Sequence, residues 1–248
     1  MKPLALPAGE IHLWQAECPE PPSNSIAVEV GHRASQAADA APADGRAGQA
    51  RLRWVWVRRL LSHYAAVEPS AIQFSRGKLG KPQLSGESQR WLQFNVSHSG
   101  SRVFAAVSRG VEVGVDIELT GREGFATGVL AERCFAPEDC AWIEAAPPTE
   151  RFRRFLELWT RWEALAKSRG VGLRALDVER SRQSLRGSAM GGGWAQVAGG
   201  AAVERSVLGF DGGPSCVGAV AIEAAPGRLS FMGGGAEMDM VPNRVVGG

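Results

Sequence analysis

The chain has 248 residues, of which 44% are hydrophobic and 22% charged, so it can bury a sizeable core and is unlike a disordered or fibrous protein. Its 28 basic and 26 acidic residues leave a formal net charge of +2, which excludes a global field that would hold nucleic acid or a membrane surface. The four cysteines show no C-x-x-C spacing, and neither a continuous signal segment nor an apolar run near about 18 residues occurs. We therefore expect reduced thiols in a cytoplasmic protein without a membrane span.

The first half of the chain predicts one long helix and a small antiparallel sheet. Residues 10–17 indicate a short opening strand, and residues 51–67 carry apolar side chains at the spacing of one helix face. Glycine or polar turn residues then separate four strand-like segments, AIQFS, WLQFNVSHS, SRVFAAVSR and VEVGVDIEL.

The second half repeats this order. Short helical pieces in 128–145 precede the strongest helix, 150–169, whose apolar stripe runs through Phe152, Phe155, Trp159, Trp162 and Ala166 and whose end is signalled by Gly170. The strand-like segments ALDVERS, WAQVAG, ERSVLGF and CVGAVAIEA follow. This order predicts an α+β protein with an N-terminal half at 1–115, a C-terminal half at 116–225, and a flexible tail without periodicity at 226–248.

Two carboxylates project from one face of the segment VEVGVDIEL. Strand alternation places Asp116 and Glu118 on the same side, beside Gly114. Carboxylates held so close repel each other unless a cation lies between them or one is protonated, and their hard oxygen atoms suit Mg²⁺. A solvated polar face of an amphipathic strand is the alternative.

A carboxylate and an amine also lie one turn apart on the strongest helix. Glu163 and Lys167 project together from a side away from the aromatic stripe. Large aromatic residues bracket Glu163, and a glycine-rich turn follows, which favours a functional site. An ordinary surface pair at this spacing is the alternative.

Polar residues interrupt the apolar strand in FNVSHSG, residues 94–100. Ser97 and His98 could grip a phosphate oxygen, and Gly100 would let a ligand approach the backbone closely. Neighbours in a strand point to opposite faces, which argues against a Ser–His nucleophile pair. A packed or capped histidine is the alternative.

A local excess of basic residues in the first third of the chain could hold phosphates. The loop GKLGKP with Lys78 and Lys81 is too short for a P-loop. The segment RLRWVWVRR could stack on nucleic-acid bases, but its apolar spacing and the near-neutral net charge favour a core helix. The basic residues are Arg51, Arg53, Arg58, Arg59, Arg76, Lys78 and Lys81.

Four motifs, taken in order, resemble the signature motifs of the Sfp-type 4′-phosphopantetheinyl transferases. They are GKP at 80–82, FNVSHSG at 94–100, VGVDIE at 113–118 and WTRWEALAKSRGVGL at 159–173. The resemblance runs from Arg51 to Leu173 and, more loosely, to Ala225. It implies the 4′-phosphopantetheinyl transferase fold, which has two pseudo-symmetric α/β halves, each with a long helix packed on a small antiparallel sheet.

The resemblance also implies roles for individual residues. Asp116, Glu118 and Glu163 would bind Mg²⁺; Glu163, Lys167 and Asp116 would be catalytic, with Lys167 on the phosphate that is attacked. Ser97 and His98 would contact the nucleotide of coenzyme A. Lys81, Arg58 and, with a weaker match, Arg51 and Arg53 would lie near its adenosine 3′-phosphate.

The implied reaction transfers 4′-phosphopantetheine from coenzyme A to a serine of an apo acyl or peptidyl carrier protein and releases adenosine 3′,5′-bisphosphate. We expect Mg²⁺ as cofactor and a monomer, because one chain supplies both halves. Fatty-acid, polyketide and nonribosomal-peptide carriers remain open as acceptors. The alternatives are a non-catalytic module that binds coenzyme A or a carrier protein, and a Mg²⁺-dependent pyrophosphate hydrolase.

One position departs from the family pattern. Many members have lysine immediately before the helix glutamate, whereas this chain has Trp162, preceded by Arg161. Either Arg161 and Lys167 neutralise the pyrophosphate, or Trp162 is simply part of the apolar stripe. The helical spacing favours the second explanation.

Overall fold

The computed structural model describes residues 3–18, 45–77, 80–121, 127–171, 184–185, 194–199, 202–223, 228–232 and 242–246. The predicted α+β class is confirmed. The first part of the chain forms β1 (Glu10–Glu17), α1 (Gly45–Ala65), β2 (Phe74–Arg76), β3 (Pro82–Leu84), β4 (Leu92–Ser99), β5 (Arg102–Arg109) and β6 (Val113–Leu119). The second part forms α2 (Thr127–Cys134), α3 (Pro137–Glu144), α4 (Pro148–Arg169), β7 (Ala195–Gly199), β8 (Ala202–Asp211), β9 (Cys216–Ile222), β10 (Arg228–Met232) and β11 (Pro242–Val246).

Two main sheets organise these strands. The first has the order β11-β10-β1-β5-β4 and the second the order β6-β9-β8-β7, while β2 and β3 form a separate hairpin. Pairing is antiparallel as predicted, except that β1 and β10 run parallel. The strand predicted at ALDVERS lies outside the described residues.

The core consists of three clusters of buried residues. The two long helices, α1 and α4, lie on its opposite outer sides. Leu60 and Tyr64 of α1 pack with Phe94 of the first sheet. Leu13 of β1 and Val115 of β6 belong to a second cluster, which fills the space between the sheets. A third cluster holds α4 against the outer face of the second sheet.

Two of the predicted boundaries fall on strands of the structure. The division after residue 115 falls within β6, all of which pairs with β9. The tail predicted as flexible contributes β10, where Leu229 is 1% exposed and pairs with Ile11. A strand of five residues such as β10 is too short to show clear alternation in the sequence, and only its pairing with β1 reveals it.

The strongest predicted helix has the expected ends and the expected buried face. Pro148 occupies its first turn, and Gly170 closes it in the left-handed conformation with φ 62°. The amide nitrogens of Gly170 and Val171 bond to Lys167 and Ala166 carbonyls, which satisfies the last turn. The predicted aromatic stripe packs on the second sheet.

Gly114 sets the distance between α4 and β6. A Cβ atom built on it would lie 2.0 Å from the Ala164 carbonyl oxygen and 2.4 Å from the Ser168 nitrogen. The space expected beside the two carboxylates is therefore occupied by the helix backbone. Only glycine allows this approach, because backbone atoms cannot move aside cheaply.

Gly114→Ala is expected to lower the free energy of unfolding by about 2 kcal/mol or more, because α4 must separate from β6. Urea unfolding followed by circular dichroism measures this loss. Gly121→Ala is the matched control, since a Cβ there would meet nothing within 4 Å. Equal unfolding midpoints for the two variants would contradict the close packing.

In the part of the chain that the structure describes, no helix combines the length and apolar character needed to cross a membrane. The four cysteines are all described and form no disulfide, as their spacing predicted.

Candidate functional site

Side chains of β4 bond to the open backbone edge of β6. Strand alternation brings Asn95, Ser97 and Ser99 to one face of β4, and buried backbone N–H groups need such partners. The amide nitrogens of Val115, Ile117 and Leu119 lie 3.0, 3.3 and 3.2 Å from Asn95 Oδ1, Ser97 Oγ and Ser99 Oγ respectively. We call these six residues the β4–β6 seam.

Asp116 lies at the centre of a buried polar cluster between β4, β6 and α4. Its side chain is 7% exposed, and its Oδ1 accepts hydrogen bonds from Ser97 Oγ at 2.9 Å and from Lys167 Nζ at 2.5 Å. Lys167 also donates to Ser97 Oγ at 3.1 Å. The structure thus brings together three of the residues that the sequence singled out, from three different elements.

Two opposing effects act on the pKa of Asp116. Burial raises the pKa of Asp116, and the Lys167 ammonium and the Ser97 hydroxyl act against that rise. Its second oxygen, Oδ2, is buried and has no hydrogen-bond partner among the described residues. A buried carboxylate oxygen without a partner is costly, and a cation would relieve that cost.

The other two residues that are predicted to bind Mg²⁺ are Glu118 and Glu163. Glu118 is half-buried and accepts a hydrogen bond from Ser99 Oγ at 2.9 Å; Glu163 is also half-buried, on α4. Within the described residues, no three His, Cys, Asp or Glu side chains come close enough together to hold a metal ion. The charged partner of Asp116 in the structure is Lys167, yet the unsatisfied Oδ2 and the hard oxygen donors fit Mg²⁺.

Ser97 and His98 lie on opposite sides of β4. The Ser97 hydroxyl donates to Asp116 and accepts from Ile117 and Lys167, which uses its one donor and both lone pairs. In this structure the hydroxyl orients Asp116; the nucleotide contact that the resemblance implies for Ser97 stays a prediction. His98 is exposed and faces a pocket.

That pocket lies between α1, β3 and β4 and has a volume of about 290 Å³. Arg53 is half-buried at its wall, where burial lowers the pKa of the guanidinium. An arginine, a histidine and two aromatic rings suit an aromatic anion. Its lining residues are Arg53, Trp54, Pro82, Phe94, Asn95, Val96 and His98.

Lys81 joins β6 to the end of α4. Its Nζ lies 2.5 Å from Glu112 Oε2, 3.1 Å from the Val113 carbonyl oxygen and 3.4 Å from the Ser168 carbonyl oxygen. The positive charge also meets the negative end of the helix dipole. Lys81 therefore links β6 to the end of α4, and the phosphate contact that the resemblance implies for it stays a prediction.

The arginines of α1 differ in what they contact. Arg58 donates to the Ile72 carbonyl oxygen and lies over the Phe74 ring at 5.2 Å, so it holds the segment before β2. Arg51 is exposed. Of the arginines that the resemblance implies near the nucleotide, Arg53 lines the pocket with His98.

Trp162 belongs to the core, as its helical spacing predicted. It is 4% exposed and packs in the cluster under α4. Arg161 is 6% exposed and donates to the Glu157 carbonyl oxygen at 2.6 Å. It also packs closely on Gly209 of β8, so the structure favours the apolar-stripe explanation over a charge aimed at the pyrophosphate.

Asn95 and Ser99 are functional residues of the seam to which the sequence pattern assigns no role. Their signal was the polar residue at every second position of FNVSHS, which indicates one face of a strand. The sequence could not reveal that this face meets another strand's backbone edge.

Two family profiles match the chain. One is described as "4′-phosphopantetheinyl transferase, N-terminal" and covers residues 47–109. The other is described as "4′-phosphopantetheinyl transferase superfamily" and covers residues 112–189. These two ranges contain β4, β6 and α4, and therefore the whole polar cluster around Asp116.

Proteins from several bacteria are similar to the chain. The 4′-phosphopantetheinyl transferase AcpT of Salmonella typhimurium is 36% identical over 138 residues, 55% of this chain and 68% of that protein. The 4′-phosphopantetheinyl transferase HetI of a Nostoc species is 29% identical over 182 residues, 70% of this chain and 74% of that protein. AcpT of Escherichia coli O157:H7 is 37% identical over 123 residues, 50% of this chain and 60% of that protein. The chain spans 47% to 60% of the length of the first curated relatives that it matches.

Proposed function

Because this chain belongs to the 4′-phosphopantetheinyl transferase superfamily, we propose that it transfers the 4′-phosphopantetheine group of coenzyme A to a serine of an apo acyl or peptidyl carrier protein. The other product is adenosine 3′,5′-bisphosphate. The observation that carries the proposal is the buried cluster of Asp116, Lys167 and Ser97. A catalyst for this reaction needs a fixed carboxylate and a cation beside the transferred phosphate.

Mg²⁺ is the cofactor that we propose, with Asp116, Glu118 and Glu163 as its protein ligands. The buried Oδ2 of Asp116 supports this choice, because among the described residues it has no hydrogen-bond partner. Bound Mg²⁺ would neutralise charge on the pyrophosphate and polarise the phosphorus that is attacked. Glu118 and Glu163 are half-buried, so both can reach a ligand from solvent.

The side chains of the cluster then have distinct tasks in the reaction. The carrier serine Oγ forms a bond to the phosphorus that bears pantetheine, and the bond from that phosphorus to the bridging oxygen breaks. Glu163 accepts the serine proton, and the bond's electron pair leaves on the 5′-phosphate of adenosine 3′,5′-bisphosphate. Lys167, which is partly exposed and already oriented by Asp116, stabilises the charge that grows during the transfer.

The nucleotide of coenzyme A is proposed to bind in the pocket lined by Arg53, Trp54 and His98. Arg53 and His98 would contact phosphate oxygens, while Trp54 offers an aromatic face to adenine. The two wall elements, α1 and β4, belong to the same core cluster, so the pocket has a rigid frame.

His98→Ala is expected to raise the KM for coenzyme A about tenfold with little change in kcat, since a hydrogen bond to a charged group is lost. Steady-state kinetics with varied coenzyme A measure both constants. Gln93→Ala, on β4 but outside the pocket, is the matched control. A fall in kcat at unchanged KM would contradict a binding role.

The proposed function is tested by incubating the protein with coenzyme A, Mg²⁺ and an apo carrier protein, then weighing the carrier by mass spectrometry. A gain of one phosphopantetheine group is expected. An unmodified carrier with intact coenzyme A would instead indicate a binding module, and coenzyme A cleaved without an acceptor would indicate a hydrolase. Fatty-acid, polyketide and nonribosomal-peptide carriers should each be offered.

The partners that we propose are therefore coenzyme A and an apo carrier protein. A monomer is sufficient, because the polar cluster takes β4, β6 and α4 from one chain. The net charge of +2 gives no support to a nucleic-acid partner.

A further inference from the structure

The two serines of the β4–β6 seam contact β6 in a repeating way. Ser97 accepts from the Ile117 nitrogen and donates to the carboxylate of the preceding residue, Asp116. Ser99 accepts from the Leu119 nitrogen at 3.2 Å and donates to the carboxylate of Glu118 at 2.9 Å. Each hydroxyl therefore holds one backbone group and one carboxylate of β6 at the same time.

This double contact restricts the orientation of Glu118. Ser99 is buried, and its oxygen is fixed by the Leu119 amide, so its single O–H donor points in one direction. A glutamate otherwise samples several rotamers, and ordering them costs about 1 kcal/mol or more. The bond to Oε2 selects the rotamers that keep Glu118 close to β4.

We propose that Ser99 is a positioning residue that orients Glu118 for binding a divalent cation. The inference rests on the proposed function, in which Glu118 is a metal ligand. Ser99 comes from the first sheet and Glu118 from the second, so a side chain of one sheet aligns a ligand that the other sheet carries. Ser97 orients Asp116 in the same way. Its hydroxyl bonds to Oδ1, and the other carboxylate oxygen, Oδ2, has no hydrogen-bond partner among the described residues.

The first test is Mn²⁺ binding by the full chain, measured by electron paramagnetic resonance without coenzyme A or carrier. Ser99→Ala is expected to weaken Mn²⁺ binding about tenfold, a typical cost of losing a group that orients a metal ligand. Ser108→Ala is the matched control, because Ser108 is buried and donates only to a backbone oxygen, that of Val111, at 2.5 Å. It should lose comparable stability in urea unfolding but keep the Mn²⁺ affinity. Equal Mn²⁺ affinities for both variants would overturn the proposal.

A second pair of variants separates the hydroxyl from the fold and applies even if Ser99→Ala does not fold. Thr and Val have nearly the same shape and both suit strands, but only Thr keeps the donor. Ser99→Thr should bind Mn²⁺ as the unsubstituted protein does, and Ser99→Val should bind about tenfold more weakly. Equal affinities for Thr and Val would refute a role for the hydroxyl.

The outcome also distinguishes this inference from the proposed function. If the unsubstituted protein modifies a carrier and binds Mn²⁺, but the Ser99 variants bind it equally well, only the positioning role fails. If the unsubstituted protein binds no Mn²⁺, the metal assignment fails and the positioning role fails with it.

Discussion

Asp116→Ala is expected to reduce phosphopantetheine transfer at least about 1,000-fold. The substitution removes the buried carboxylate that would hold the cation and that orients Lys167 at 2.5 Å. A bound metal ion lowers the activation free energy of such a reaction by several kcal/mol, because it stabilises charge in the transition state. About 4 kcal/mol corresponds to three powers of ten in rate. The rate of carrier modification, followed by mass spectrometry, measures the effect.

The fold of this variant should survive. Burial raises the pKa of Asp116, so the charged carboxylate is disfavoured at its site, and Lys167 is exposed enough to reach solvent. Glu132→Ala is the matched control, because Glu132 is an exposed carboxylate on α2 and belongs to neither the cluster nor the pocket. Full activity in a folded Asp116→Ala protein would overturn the metal assignment.

Lys167→Met is expected to lower kcat about 100- to 1,000-fold, as is typical when one group that stabilises developing charge is removed. Methionine keeps the length and the apolar stem but loses the ammonium. Arg153→Met is the matched control on the same helix, since Arg153 is exposed and pairs with Glu157. An unchanged kcat would show that Lys167 serves only to pair with Asp116.

The same variant has a second readout in the pH profile. Lys167 lowers the pKa of Asp116 against the effect of burial, so its removal raises that pKa further. Asp116 must be ionised to act as proposed, and the ionised form exists only above its pKa. The acid side of the activity profile should therefore move to higher pH in Lys167→Met, and it should not move in Arg153→Met.

Several features of the site could be predicted from short stretches of sequence. Alternation in VEVGVDIEL put Asp116 and Glu118 on one side of a strand, and β6 has that arrangement, with Val113, Val115 and Ile117 in the core. Helical spacing placed Trp162 in the core, where it lies. These inferences succeed because strand and helix periods are local properties of the backbone.

Other features depended on contacts between segments far apart in the chain. Lys81 lies 31 residues before Glu112 and 87 before Ser168, yet its ammonium contacts both. Its glycine- and lysine-containing loop suggests a phosphate contact, and no local pattern indicates that protein oxygens also bind the ammonium. The pairing of β10 with β1 likewise joins residues more than 200 positions apart.

By itself, the sequence determined the identity of the chemical groups and the side of each element on which they lie, because those depend on residue type and backbone period. It also determined the resemblance that first suggested a family. Only the tertiary structure decided which of these groups meet. Ser97 orients Asp116, Ser99 holds Glu118, and His98 faces a separate pocket, because β4 lies along the open edge of β6 and its alternate side chains supply that edge with hydrogen-bond partners.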